Sequence, residues 1–211
     1  MRAALIVLTG TVIALTGCSG GATEQPRADS TAPVIAPGRP GENAKTLSPG
    51  EAATAVPLPT ANAADITYMQ NMILHHRQAL DMAILAPTRA VSTKLKGLAA
   101  RIQDTQGPEI QFMTTWLQEQ GQKAPEHHAE HDSMPGMASP EQMAALKAST
   151  GAAFDTLFLE LMIKHHLGAI TMSEQVLKGG SHIRVEELAN DIGVTQAAEI
   201  RRMQEMQSKT G

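Results

Sequence analysis

From about residue 62 onward, apolar residues recur every three to four positions, which is the spacing of helices that bury one face. The pattern predicts four long helices, at about 62–85, 93–120, 151–177 and 181–207. Residues suited to cap a helix stand at three of the four starts, namely Asn62, Ser92 and Ser181. No stretch alternates apolar and polar residues for long enough to predict a strand. The sequence therefore predicts an all-α fold, in which two antiparallel helical hairpins pack as a four-helix bundle.

The helical pattern is a duplication, because residues 65–113 match residues 155–203 at a constant offset of 90 positions. The match retains an acid, an aromatic residue, three methionines, an adjacent histidine pair, a glutamine and a glutamate. The first copy holds Asp65, Tyr68, Met72, His75, His76, Met82, Gln106, Glu109 and Met113. The second copy holds Asp155, Phe158, Met162, His165, His166, Met172, Gln196, Glu199 and Met203. This register predicts one domain over 62–211, with repeat one at 62–121, a His/Met-rich connector at 122–150 and repeat two at 151–207.

On a helical wheel, the repeated histidines and methionines fall on the stripe that should face the core. Gln106 and Glu109 lie in the middle of the following helix's apolar stripe, as do Gln196 and Glu199. A buried carboxylate needs a partner, and the histidines are the expected ones. Two interpretations follow. Either Glu–His and Gln–His hydrogen bonds form a structural polar layer, or each glutamate orients an imidazole whose other nitrogen binds a metal.

Sulfur and imidazole donors together favour Cu(I) or Ag(I), because thioether is a poor ligand for zinc, calcium or magnesium. An iron site of the ferritin type would need Glu-x-x-His motifs, which the sequence lacks. The predicted copper ligands are Met72, His75, His76, Met82, Met113, Met162, His165, His166, Met172 and Met203. The residues predicted to support them are Gln106, Glu109, Gln196, Glu199, Asp65 and Asp155.

The connector contains a second candidate metal site with the same types of donor. Its residues are His127, His128, His131, Met134 and Met137. The alternative is a solvated loop that is rich in histidine without binding a metal. The residues that follow, Ser139-Pro140-Glu141-Gln142, have the form of a capping box and predict a short helix to Lys147.

Residues 1–18 have the form of a lipoprotein signal peptide that ends in the lipobox Leu15-Thr16-Gly17-Cys18. Cys18, the only cysteine, would carry the lipid, and two acyl chains suffice for stable anchoring. The alternative is an ordinary secretory signal with an incidental cysteine. Residues 19–61 are rich in Pro, Ala, Gly and Ser, which predicts a disordered, flexible tether. A net charge of −4 without a basic stripe argues against a nucleic-acid partner.

With these motifs, the chain resembles a bacterial secreted, ferritin-like family, domain of unknown function 305, which includes CopM-like periplasmic copper-binding proteins. The resemblance rests on an acid, an aromatic residue and Met-Ile-x-His-His, followed by Gln-x-x-Glu-Ile-x-x-Met. Both parts occur twice, within 65–113 and 155–203. The resemblance implies a two-repeat helical bundle outside the cytoplasm that binds copper or silver ions.

The leading hypothesis is an extracytoplasmic protein, lipid-anchored in the periplasm or at the cell surface, that sequesters Cu(I) or Ag(I) or transfers it to a partner protein. Such a protein would serve copper homeostasis or resistance. A second hypothesis is an enzyme that uses the His–Glu layer for proton transfer or metal-assisted redox chemistry. The sequence shows no nucleophile or cofactor loop, so catalysis is the less favoured alternative. A third hypothesis is a structural or interaction lipoprotein that binds no metal.

Overall fold

The computed structural model describes residues 33–36, 43–55, 60–126 and 134–208. The chain forms two compact units, Met1–Pro57 and Leu58–Gly211. The lipobox with Cys18 and the connector residues His127, His128 and His131 lie outside the described residues.

The first unit contains regular structure where the sequence predicts a disordered tether. Strands β1 (Val34–Ala36) and β2 (Lys45–Leu47) pair antiparallel, and helix α1 follows at Pro49–Ala55. The helix begins where Ser48 and the side chain of Glu51 cap each other, with Pro49 in the first helical position, which suits proline. Elements this short carry no apolar periodicity, which is why the sequence pattern does not reveal them.

The second unit is helical, as the sequence predicts. Its helices are α2 (Ala63–Ala83), α3 (Ala86–Arg89), α4 (Thr93–Glu119), α5 (Pro140–Ala148), α6 (Gly151–Gly179) and α7 (Ile183–Gln207). The four long helices begin and end within about two residues of the predicted bounds, as is usual for boundaries inferred from caps. The short α3, with proline in its first turn, is not predicted.

Side-chain caps account for most of the helix starts. Asn62 and Asp65 form a capping box on α2, Ser92 caps α4, and Ser139 with Gln142 forms the expected box on α5. The predicted cap of α7 is wrong, because His182 rather than Ser181 occupies that position. The ring Nδ1 of His182 accepts from the backbone N–H of Arg184.

The four long helices pack so that α2 contacts α4 and α6, while α7 contacts α6 and α4. Their buried apolar residues form two clusters. The Tyr68 cluster contains Met69, Met72, Ile73, Met113, Trp116, Leu117, Ala169, Met172, Val176, Val185, Ala189 and Ile192. The Phe158 cluster contains, among others, Ala79, Met82, Ala83, Leu95, Leu98, Ile102, Phe154, Met162, Ile200 and Met203. Within the described residues, each helix is too short or too polar to cross a lipid bilayer.

Candidate metal centre

A layer of polar side chains separates the two apolar clusters. We call it the histidine layer, and it consists of His75, His76, Gln106, Glu109, His165, His166, Gln196 and Glu199. In α2 and α6 the histidines follow one cluster and precede the other along the chain. All four histidines are fully buried, and only Glu109 is partly exposed. The structure thus brings the duplicated polar residues together inside the protein, as their positions on the helical stripes predict.

Each repeat contributes one histidine bonded to a glutamate of the next long helix. His76 Nε2 lies 2.7 Å from Glu109 Oε2, and His166 Nε2 lies 2.8 Å from Glu199 Oε2. A carboxylate accepts, so each Nε2 carries the proton, and in the neutral ring the lone pair then lies on Nδ1. Neither Nδ1 has a hydrogen-bond partner among the described residues. This is the arrangement in which a carboxylate orients a metal-binding imidazole.

The other two histidines meet each other at the interface of α2 and α6. The ring centroids of His75 and His165 are 3.7 Å apart, with the ring planes inclined by 37°. His75 Nε2 lies 3.0 Å from the carbonyl oxygen of Pro135. Among the described residues, neither ring nitrogen of His165 has a hydrogen-bond partner.

Burial holds the pKa of His165 well below its usual value, and the neighbouring His75, His166 and His76 lower it further. His165 is therefore neutral at physiological pH. A neutral imidazole keeps a lone pair, which is the form that binds a metal.

The glutamines of the layer bear on the two interpretations of the sequence. The side-chain oxygen and nitrogen atoms of Gln106 and Gln196 are buried and have no partner among the described residues. The Glu–His hydrogen bonds of the structural interpretation are formed, but its Gln–His hydrogen bonds are not. A buried polar group without a partner costs about 1–3 kcal/mol. The polar layer of the structural interpretation is therefore only partly formed among the described residues.

The six methionines predicted as ligands are distributed symmetrically on the two sides of the layer. Met72, Met113 and Met172 belong to the Tyr68 cluster, whereas their counterparts Met162, Met203 and Met82 belong to the Phe158 cluster. All six are buried. Each side of the layer therefore has sulfur from both repeats, which is the donor that Cu(I) and Ag(I) prefer.

Asp65 and Asp155, which the sequence predicts to support the histidines, have hydrogen-bond partners elsewhere in the structure. Asp65 accepts from the backbone N–H and the hydroxyl of Ser181 in the α6–α7 link. Asp155 accepts from the backbone N–H groups of Val91 and Ser92, in the link before α4. Each aspartate lies ten residues before its histidine pair, or about 15 Å along a helix. They join the start of each repeat to the other repeat's link.

Residues 134–138 of the connector contact the layer directly, which the sequence does not predict. Met134 is half-buried and Met137 is buried. Between them, Pro135 places its carbonyl on His75, and Ala138 bonds Gln78 through both its backbone groups. The one available signal was Gly168, a glycine inside a long helix where repeat one has Gln78.

A conventional metal cluster is absent from the part of the chain that the structure describes. No group of three or more His, Cys, Asp or Glu side chains there has the geometry to hold an ion. A metal bound in the layer would therefore need sulfur donors beside the histidines.

Comparison with known proteins gives matches over most of the helical unit. The sequence matches the domain of unknown function DUF305 over residues 65–207. A DUF305 fragment from Deinococcus radiodurans is 36% identical, with a TM-score of 0.65, over 72% of this chain and 99% of the other. A DUF305 protein of Streptomyces coelicolor described as secreted is 26% identical, with a TM-score of 0.65, over 70% and 94%.

A third similar structure is CopM in its Cu(II)-bound form. It is 31% identical with a TM-score of 0.61, and the match covers 69% of this chain and 96% of CopM. CopM structures in Cu(I)-bound and Ag-bound forms match with TM-scores of 0.59 and 0.57. Among proteins with curated descriptions, none matches this chain.

Proposed function

The chain belongs to the DUF305 family, and from that membership together with the histidine layer we propose that it binds copper or silver ions outside the cytoplasm. Its role would be to sequester Cu(I) or Ag(I), or to transfer the ion to a partner protein. CopM, a relative of similar fold, has been solved with Cu(I), Cu(II) and silver bound. The secreted Streptomyces relative supports a place outside the cytoplasm.

We further propose that the four long helices form a ferritin-like four-helix bundle, anchored by lipid on Cys18.

The observation that carries the proposal is the state of His165. Its ring is fully buried, with its centroid 3.7 Å from that of His75, and neither ring nitrogen forms a hydrogen bond of regular geometry with the described residues. Its depressed pKa keeps it neutral, so protons do not compete for its lone pair at physiological pH. Beside it, the Nδ1 atoms of His76 and His166 are oriented by Glu109 and Glu199.

The proposed ligands are the four histidines of the layer with Met72 and Met162, followed by Met82, Met113, Met172 and Met203. Thioether sulfur favours Cu(I) over Cu(II), so we propose Cu(I) as the principal cargo. Complete burial of the four histidines favours an ion over an organic substrate, which would need an open pocket at the layer. For this reason the enzymatic alternative is less well supported.

The test is competition for Cu(I) between the purified protein and a chelator of known affinity. The variant His75/His76/His165/His166→Ala should lose binding altogether. The single variant His165→Leu keeps a similar side-chain volume and removes no hydrogen bond seen in the structure, so it should fold and bind at least about tenfold more weakly. His182→Asn is the matched control, because it changes a histidine outside the layer to another residue that caps helices.

Helical circular dichroism establishes that each variant is folded. Ag(I) at 100 times its dissociation constant should also raise the unfolding free energy of the wild type by about 2.7 kcal/mol. If folded His165→Leu competes for Cu(I) as well as the wild type does, the layer is not the metal site.

A further inference from the structure

The middle of the connector passes over α6 with its backbone in direct contact with the helix backbone. We call residues Met134–Ala138 the strap. A Cβ atom added to Gly168 of α6 would lie 2.0 Å from the carbonyl oxygen of Pro135. A Cβ atom on Gly136 would lie 2.5 Å from the carbonyl oxygen of Lys164, and Gly136 has a φ of +80°, which favours glycine. Only a pair of glycines permits so close an approach.

A second contact fixes the strap to α2. The side-chain nitrogen of Gln78 donates to the carbonyl of Ala138 at 2.9 Å, and its side-chain oxygen accepts from the N–H of Ala138 at 2.7 Å. Gln78 and Ala138 are both buried, and so is Met137, the strap residue before Ala138. The strap is therefore held at Gly168 on one helix and at Gln78 on the other.

These two contacts place the Pro135 carbonyl 3.0 Å from His75 Nε2. A carbonyl oxygen can only accept a hydrogen bond, so His75 must carry its proton on Nε2. In the neutral ring, the lone pair that could bind a metal is then on Nδ1. The Pro135 carbonyl of the strap thus orients His75, as the carboxylates of Glu109 and Glu199 orient His76 and His166.

The structure assigns a positioning role to the strap: the Pro135 carbonyl fixes the tautomer and ring orientation of His75, and so sets the affinity of the histidine layer for a soft metal ion. This inference rests on the proposed function for its effect on metal binding, but not for its effect on His75 itself. The role belongs to one repeat only. Gln78 of repeat one corresponds to Gly168 of repeat two. Gln78 binds Ala138 of the strap, whereas Gly168 leaves the space that the Pro135 carbonyl occupies.

The test compares two alanine substitutions at helical glycines. In Gly168→Ala, the new methyl group overlaps the Pro135 carbonyl and displaces the strap. In the control Gly193→Ala, within α7, the methyl group meets no atom within 4 Å. Both substitutions raise helix propensity to the same extent. Any difference between them therefore reports the position of the strap.

The first measurement needs no metal. Nitrogen-15 chemical shifts at neutral pH report which ring nitrogen of His75 is protonated. The wild type and Gly193→Ala should show the Nε2–H form alone, and Gly168→Ala should show a mixture of both tautomers. The second measurement is Cu(I) competition, in which Gly168→Ala should bind about tenfold more weakly than Gly193→Ala, as for other groups that orient a ligand.

A second pair of variants covers the case in which Gly168→Ala fails to fold. Gln78→Ala removes the clamp on Ala138, and its control Gln70→Ala removes a hydrogen bond to the connector outside the strap, at the carbonyl of Lys123. Only Gln78→Ala should alter the tautomer of His75 and weaken Cu(I) binding.

The two proposals fail in different ways. An unchanged tautomer and unchanged Cu(I) affinity in folded strap variants would overturn the positioning role while leaving metal binding intact. A wild-type protein that does not bind Cu(I), with a tautomer that still depends on the strap, would overturn the proposed function alone.

Discussion

Repeat one and repeat two place the same histidine pair in different surroundings. His75 of repeat one is held by the Pro135 carbonyl, whereas its counterpart His165 has no hydrogen-bond partner among the described residues. The second histidine of each pair, by contrast, keeps the same glutamate bond in both repeats. The duplication has thus preserved one histidine environment and diversified the other.

The residues responsible for the difference follow each histidine pair directly. Arg77 donates to the carbonyl of Pro125 at 2.8 Å, and Gln78 bonds Ala138, so repeat one holds the connector at two points. In repeat two the same positions are Leu167 and Gly168, which cannot form these bonds. Since a connector between two repeats can cover only one of two equivalent faces, the divergence is what the topology requires.

The largest expected difference between the repeats is the stability lost on removing each glutamate. The side chain of Glu199 is 6% exposed, while that of Glu109 is 18% exposed. Glu199→Ala leaves His166 Nε2 without its hydrogen-bond partner at a site that water does not reach. The substitution should lower the free energy of unfolding by about 3 kcal/mol. Glu109→Ala should cost about 1 kcal/mol, because water can reach the place of the lost carboxylate.

Urea denaturation of the two variants measures this difference. Each should keep its helical circular dichroism, and the slope of the transition should match that of the wild type. Equal losses in the two variants would mean that the partial exposure of Glu109 has no energetic consequence.

The next effect concerns His165 and pH. Its pKa in the folded protein is lowered by burial and by the neighbouring histidines, whereas in the unfolded chain it is near the ordinary histidine value of 6.5. As the pH falls below 6.5, the unfolded chain binds a proton that the folded protein excludes, so stability is lost until the folded-state pKa is reached. The loss should amount to at most about 1.4 kcal/mol per pH unit for this group.

His165→Leu removes the group and should flatten the stability profile below pH 6.5. Urea denaturation of the metal-free proteins at a series of pH values is the measurement. An unchanged profile in His165→Leu would show that other groups cause the acid sensitivity of the domain.

The parts of this structure that depend on local or repeated patterns could be predicted from the sequence. Asn62, Ser92 and Ser139 cap helices as predicted, because capping involves residues only two or three positions apart. The hydrogen bond between His76 and Glu109 could also be predicted, since a buried acid on an apolar stripe needs a partner.

The parts that escaped prediction are contacts between residues far apart in the chain. Gln78 and Ala138 are 60 residues apart, and Asp65 and Ser181 are 116 apart. No periodicity in the sequence links such pairs. An aspartate near a helix start can cap the helix, bind a distant segment or support a metal ligand, and the sequence does not distinguish these roles. The strands at 34–36 and 45–47 are too short to show an alternating pattern.

The smallest expected effect arises where the repeats differ by a hydroxyl group. Tyr68 Oη and Ser173 Oγ form a buried hydrogen bond of 2.9 Å, and burial raises the pKa of Tyr68. The corresponding residues, Phe158 and Ala83, have no polar group in their side chains and lie in the other apolar cluster. The positions that form a polar pair in one cluster are therefore occupied by apolar residues in the other.

Tyr68→Phe should cost about 1 kcal/mol, because it leaves the hydroxyl of Ser173 without its tyrosine partner. The double variant Tyr68→Phe/Ser173→Ala reproduces the pair found in the other cluster and should recover most of that loss, since removing both partners of a buried hydrogen bond is nearly neutral. A double-mutant cycle in urea measures the coupling between the two hydroxyls. Purely additive losses would show that the hydrogen bond between the two hydroxyls contributes nothing to stability.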